Sequence, residues 1–272
     1  MVNQILKLMQ LGKKVKSSVY NIRQLPNEVI EQMFSLMPAV YDGLSKEQFR
    51  LDLKKKNKVI LIHDSSKNRL VGFSTLYLFD EKISSELSQE KRFTGLFSGD
   101  TIIDPNYWGG SALQMAFGLF FVSVILSNPF KPLYWFLISK GYKTYLLMAN
   151  NFGESFPQPD AEIPKSMGNL MNEVYSHLYP DSWNRGTGLI HNTHGEYHIK
   201  YGVAAPDEFL VSNNRRVAYF LKRNPGWQDG DELACLAKMK SSDLANYVLK
   251  RFRKATGLWS AANEKGKTSY VR

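Results

Sequence analysis

The stretch Ala112–Ser127, ALQMAFGLFFVSVILS, restricts the fold of this chain more than any other segment. It carries no charge, and polar residues such as Gln114 and Ser123 interrupt it only singly. It falls short of the roughly 20 residues that span a bilayer, and Asn128-Pro129 stops it. As a helix it is apolar on every side, so it has to be buried nearly all round, and a membrane-spanning reading is set aside. Burial of that kind demands a large covering structure. The 272 residues, 43% hydrophobic and 13% aromatic, suffice for one large domain or a domain with a sizeable extension.

Around this helix the pattern alternates between strand and helix. Val15–Gln24 reads as a first strand. Pro26-Asn27 opens a helix from Glu28 to about Met37, with Val29, Ile30, Met33, Phe34 and Met37 at helical spacing. A second helix fits Ser45–Lys56, capped by Ser45 with Gln48 three residues on. Lys58–His63 (KVILIH) and Arg69–Phe79 (RLVGFSTLYLF) flank the polar turn Asp64–Asn68 and predict a hairpin. A charged connector, Asp80–Lys91, leads to a strand over Phe93–Ile103, and Leu133–Ser139 is a further buried strand after the apolar helix. A hairpin followed by a strand–helix–strand crossover predicts an α/β chain of the α+β type. Its mixed sheet is covered by helices, unlike a doubly wound parallel sheet.

The chemistry is expected at Gly99–Leu113, GDTIIDPNYWGGSAL, where a strand stops at Asp104-Pro105, two glycines follow and the apolar helix begins. Unpaired N–H groups at a helix start, with the positive end of the dipole behind them, make an anion site. Glycines let a phosphate approach the backbone closely. Neither a Walker A loop nor a dinucleotide fingerprint fits, because the Lys-Ser/Thr pair and the Gly-x-Gly-x-x-Gly spacing are both missing. The plainer alternative is a tight turn into a core helix.

This order of elements, with its Asp-Pro turn and glycine-containing helix start, resembles the GNAT (N-acetyltransferase-like) acyltransferase superfamily. The resemblance runs from about Val15 to about Tyr145 and is carried by Lys58–His63, Arg69–Phe79, Gly99–Pro105 and Tyr107–Leu113. Pro105-Asn-Tyr-Trp-Gly-Gly-Ser-Ala-Leu113 is similar to the family's proline-x-tyrosine-arginine-glycine-x-glycine-x-glycine segment, whose amides grip the pyrophosphate of coenzyme A. Trp108 stands where the family has Arg or Gln, and Ser111 and Leu113 fall where it has glycines. A shift of one residue makes Gly110 and Ala112 the small positions instead. The resemblance implies that residues 1–145 form an acyl-donor-binding core with a mostly antiparallel sheet. It implies acyl-CoA or an acyl carrier protein as co-substrate, with no permanently bound cofactor, and an amine or hydroxyl as acceptor.

The donor site is then expected at Thr101, Ile102 and Ile103 along a splayed strand, and at Trp108, Gly109, Gly110, Ser111 and Ala112 at the helix start. Asp100 is the candidate base for the attacking group, and Tyr142 or Tyr145 the candidate proton donor to the leaving thiolate. Asp100 and the tyrosines also have plainer readings, as a turn carboxylate and as packing, and Asp104 reads as a cap at the helix entry.

Residues 146–272 lie beyond the resemblance and are expected to form an extension packed on the core that contributes to the acceptor site. Asn150–Pro164 reads as a loop, with helices over Lys165–Leu178 and Ser241–Lys254. The apolar helix and Leu133–Ile138 either wall a tunnel for a fatty acyl chain or form ordinary core. His191, His194 and His198 lack zincin spacing and are interrupted by Gly195, so they read as a polar loop with no metal. The single cysteine, Cys235, has no partner in ELACLAK and reads as a small buried residue of a reducing compartment. MVNQILKLMQLGKKVKSS places its apolar residues before its lysines, the reverse of an export signal, so a cytoplasmic location is expected. A net charge of +10 asks for an anionic partner, but no nucleic-acid motif is visible. A non-catalytic binding module of the same fold, engaging a partner protein or ligand, is the remaining alternative.

Overall fold

The computed structural model describes residues 2–83, 91–192, 198–200 and 205–255. Along the first half run α1 (Val2–Met9), β1 (Val15–Asn21), α2 (Asn27–Leu36), β2 (Tyr41–Asp42), α3 (Lys46–Lys54), β3 (Lys58–Asp64), β4 (Arg69–Ile83), β5 (Lys91–Ile103), α4 (Ala112–Ser127), β6 (Leu133–Ser139) and α5 (Tyr142–Ala149). The second half contributes β7 (Ser155–Phe156), α6 (Lys165–Leu178), β8 (Trp183–Asn184), β9 (Leu189–Ile190), β10 (His198–Ile199), α7 (Glu208–Asn213), α8 (Arg215–Arg223), β11 (Glu232–Lys238) and α9 (Ser241–Ala255).

One large sheet dominates, in the order β1-β3-β4-β5-β6-β11-β9-β8, with β7 also on β11; β2 and β10 pair separately. Among the described residues only β5 and β6 pair in parallel, as the α4 crossover between them requires. The chain is thus a mixed α/β structure with a large, mostly antiparallel sheet flanked by helices. Four of the nine strands that the sheet has among the described residues (β7, β8, β9 and β11) come after residue 145, so the sheet continues across the expected boundary.

Side-chain alternation gives the sheet two faces. On one, Phe73, Ile102, Phe97, Phe136 and Leu236 pack under α2, α3 and α6; on the other, Val71, Leu96, Trp135, Leu137 and Cys235 pack under α4, α5, α8 and α9. The apolar α4 is held between the sheet on one side and α1 and α9 on the other, which is why its sequence has no polar stripe. The space between α4 and β6 is filled by Phe117, Phe121, Trp135 and Phe152, whose ring centroids lie 5.3–6.5 Å apart. Ordinary core therefore occupies the position of the acyl tunnel. Cys235 is buried there, its thiol pushed up by that burial.

Three local differences from the sequence reading have simple causes. The first strand ends at Asn21 because Ile22–Gln24 turns as a 3-10 helix into Pro26. β4 continues to Ile83 through the charged residues expected as a connector, because Asp80 is satisfied there by the Thr94 hydroxyl at 2.7 Å and the Lys131 ammonium at 2.9 Å. The N-terminal residues Val2–Met9 form helix α1, and this helix covers an open sheet edge. Asn3 donates to the Val19 carbonyl (2.7 Å) and accepts from the Val19 amide (2.8 Å), while Gln10 accepts from the Ser17 amide (2.7 Å). Side-chain amides thereby replace the neighbour strand that β1 lacks on that side. The capping box at Ser45 and Gln48 forms as expected, both bonds being 3.1 Å.

Candidate functional site

β5 pairs with β6 only from Thr94↔Leu133 to Ser98↔Leu137. Beyond that point β5 continues against β4 alone, and β6 turns at Gly141 into α5. The sheet is therefore split between Gly99–Ile103 and the end of β6. At the split, Thr75 lies opposite two residues, Gly99 and Asp100, a β-bulge that sets both on the same face. The Asp104 amide donates to Val71 (2.9 Å), so alternate residues Ile102 and Asp104 bond to β4 while Thr101 and Ile103 turn their backbone groups toward the gap.

The donor residues expected along this strand thus divide. Thr101 and Ile103 offer backbone polar groups to the gap, and Ile102 does not: its side chain is buried under α2 and α3. Thr101 also bonds the Ser74 hydroxyl at 2.7 Å.

The turn into α4 is held rigidly from the β3–β4 hairpin. The Tyr107 hydroxyl donates to Asp64 (2.7 Å), and Arg69 donates to Asp104 (2.7 Å). Lys67 and Arg69 stand over the Tyr107 ring at 5.6 and 5.7 Å. The Ser66 and Tyr107 hydroxyls hold the Asp64 carboxyl well below the usual carboxylate range. Burial opposes ionisation of Asp104, but the Asn106 amide and the Arg69 guanidinium offset it and keep that carboxyl low as well. Asp104 caps the short turn at the helix entry through the Asn106 amide (3.0 Å).

Gly109 then takes a left-handed φ of 80°, which a side chain would resist. The amides of Ser111, Ala112, Leu113 and Gln114 have no hydrogen-bond partner among the described residues, and the Ser111 side chain makes no cap bond. Four donors at the positive end of a 16-residue helix form an anion-receptive turn. Trp108, 50% exposed, lies across this corner: its indole donates to the Ile103 carbonyl (2.9 Å), and Lys143 of α5 stands 5.1 Å from its ring.

On the opposite face, the same split gathers a cluster that local sequence patterns do not reveal. Asp100 on β5, Lys140 after β6 and Glu232 at the start of β11 share the face carrying Phe136 and Leu236. Lys140 and Glu232 are 3.5 Å apart, and Lys140 stands 5.5 Å from the ring of part-buried Tyr41. Lys56 is buried beside Gly99, bonded to Asp52 at 2.9 Å and set over Phe97 at 5.4 Å. Burial pushes the Glu232 carboxyl up to about 7; the Lys140 ammonium opposes that shift, while Asp100 and Asp52 add to it. The Thr75 hydroxyl is buried there with no hydrogen-bond partner among the described residues.

Glycine is needed at position 99 for space. A Cβ there would lie 2.6 Å from the Thr75 hydroxyl and 2.8 Å from Lys56 Cε. Gly99→Ala is expected to destabilise the fold by about 1–3 kcal/mol through that overlap, read as a lower denaturant midpoint with an unchanged slope.

The two tyrosines expected as acids occupy different surroundings. Tyr145 is buried in the core, donates to the Pro157 carbonyl (3.1 Å) and packs on Phe220. Tyr142 begins α5 just past the end of β6, its hydroxyl pushed up by burial and then by Asp207. Of the three histidines, His191 bonds Asp231 at 2.9 Å, His198 lies in β10, and His194 falls outside the described residues. No group of three metal-ligating side chains occurs among the described residues, nor does a helix long and apolar enough to cross a membrane.

Fold and site together define a split mixed sheet, with an anion-receptive helix start on one face and an ionisable cluster on the other. No protein-family model matches the chain, and no curated protein matches it. Among solved structures it is similar to an Enterococcus faecalis protein described as a probable N-acyltransferase, at 14% identity and a TM-score of 0.36, over 52% of this chain and 33% of that one. An aminoglycoside acetyltransferase from an uncultured soil metagenomic sample matches at 16% identity and a TM-score of 0.33, over 57% and 93%. Escherichia coli ElaA matches at 13% identity and a TM-score of 0.32, over 54% and 94%. The chain spans about a third of the length of the Enterococcus protein.

Proposed function

We propose that this chain is an acyltransferase of the GNAT type. It would move an acyl group from acyl-CoA, or from the phosphopantetheine of an acyl carrier protein, to an amine or hydroxyl acceptor. The observation that carries this reading is that one break in the sheet opens between an unpaired helix start and an ionisable cluster. A diphosphate suits the amides of Ser111–Gln114, and an extended pantetheine arm suits the outward backbone of Thr101 and Ile103. Residues 1–145 then hold the donor, and the later residues complete the acceptor side through Glu232.

The chemistry follows from those positions. An amine reaching the cluster meets three carboxylates, Asp52, Asp100 and Glu232, against two ammonium groups, Lys56 and Lys140, a balance that favours a cation. Glu232, poised near neutrality, accepts the proton that the amine must shed. The nitrogen attacks the thioester carbonyl, the C–S bond breaks, and the thiolate takes a proton. Tyr142, beside the end of β6, supplies it more readily than Tyr145, whose hydroxyl is committed to Pro157. Asp100 sets the local charge beside Glu232.

Calorimetry with coenzyme A, acetyl-CoA and a long-chain acyl-CoA tests the donor half. Binding with a matching rise in thermal midpoint is expected, since a ligand specific to the native state stabilises it in proportion to saturation. No binding to any of the three would remove coenzyme A as the donor.

A further inference from the structure

We propose that the N-terminal helix α1 docks this protein onto anionic lipid surfaces. The rotation of α1 is fixed by Asn3 and Gln10 bonding to β1, and by Leu6, which is fully buried. With that face committed, Ile5 and Leu8, three residues apart on α1, face outward at 39% and 68% exposed, and Leu11 in the turn that follows is 71% exposed. The exposure of Ile5 and Leu8 cannot be relieved by turning the helix, because doing so would uncover the edge of β1. Gly12, at φ 72°, lies in the turn that follows the helix and leads directly into exposed Lys13 and Lys14.

Charge decides which partner fits. Residues 1–27 contain Lys7, Lys13, Lys14, Lys16 and Arg23 and no Asp or Glu. The ion pairs among the described residues leave all four lysines out. Two copies docking through α1 would bring like charges together, which disfavours self-association. The outward face offers only aliphatic side chains and Gln4, without the Trp, Tyr or Arg anchors that concentrate energy in protein interfaces. Aliphatic side chains flanked by lysines are what an interfacial helix presents to acidic headgroups, lying in the surface plane.

The test is co-sedimentation of the full chain with vesicles of phosphatidylcholine alone and of phosphatidylcholine with phosphatidylserine. Binding only to the phosphatidylserine vesicles, falling steeply with added salt, is expected. A Leu8→Gln, Leu11→Gln double variant should lower partitioning by about tenfold or more. A Lys13→Gln, Lys14→Gln variant should lower it by about fivefold per lysine. Both should keep the wild-type thermal midpoint, because the altered side chains are exposed. No binding, equal binding to phosphatidylcholine alone, or full binding by the leucine variant would overturn the proposal. So would self-association that is lost with Leu8 and Leu11 while vesicles are ignored.

Discussion

Replacing Glu232 with glutamine is expected to lower kcat by about 10²–10⁴-fold, the usual worth of a positioned general base, while making the fold more stable above neutral pH. Both effects come from one cause. The carboxyl is 16% exposed beside Lys140, and burial raises its folded-state value from 4.5 to about 7. Only the ionised form accepts a proton, so the wild-type rate should climb as pH rises through about 7. The stability effect has the opposite sign. Between 4.5 and about 7 the folded state retains a proton that the unfolded chain has released. Stability present below 4.5 is therefore lost as pH rises through the folded value, by up to about 3 kcal/mol at 1.36 kcal/mol per unit. Glutamine, neutral throughout, should abolish both the acid limb of the rate profile and this slope in urea midpoints. Wild-type kcat in the variant would remove Glu232 from the chemistry. An unchanged slope would assign the titration to another group.

That residue also marks where sequence reading stopped. The hairpin, the crossover and the glycine turn into α4 were legible because each is local. Alternation shows β3 and β4, an all-round apolar run requires a sandwiched α4, and Asp-Pro followed by Gly-Gly announces a strand end and a helix start. The role of Tyr107 follows from its contact with Asp64, a hairpin residue 43 positions earlier, so spacing alone does not give it. Glu232 is less legible still. It opens a strand, ELACLAK, where a charged first residue reads as an exposed end, and its neighbours Asp100 and Lys140 lie on β5 and just past the end of β6. Lys56 reads as one of three solvated lysines, yet it is buried because the bulge at Gly99 leaves room for its side chain. Local periodicity shows which face a residue takes; it does not show which strands lie side by side, and the cluster depends on β11 standing next to β6.

Ser111→Asp is expected to raise the thermal midpoint by about 1–4 °C and to weaken coenzyme A binding by about 10²–10³-fold. The two readings of the glycine turn make different predictions for this substitution. If the turn is only a route into a core helix, a carboxylate beside the unpaired amides of Ser111–Gln114 supplies a missing cap charge and nothing is lost. If the amides receive a diphosphate, the same carboxylate stabilises the free protein while repelling the ligand from the donors it needs. Position 111 separates these cleanly because its side chain makes no cap bond. Gly110 does not, since a Cβ there would press to 3.2 Å from the Tyr107 carbonyl and confound repulsion with strain. A midpoint that rises while calorimetric affinity collapses assigns the helix start to the donor phosphates. A rise with affinity intact would leave the turn as structure and place the donor elsewhere along the split. A fall in both would show that the carboxylate disturbs the anchored loop, and Ser111→Ala, neutral and without a new charge, would then have to bind coenzyme A normally for the anion site to stand.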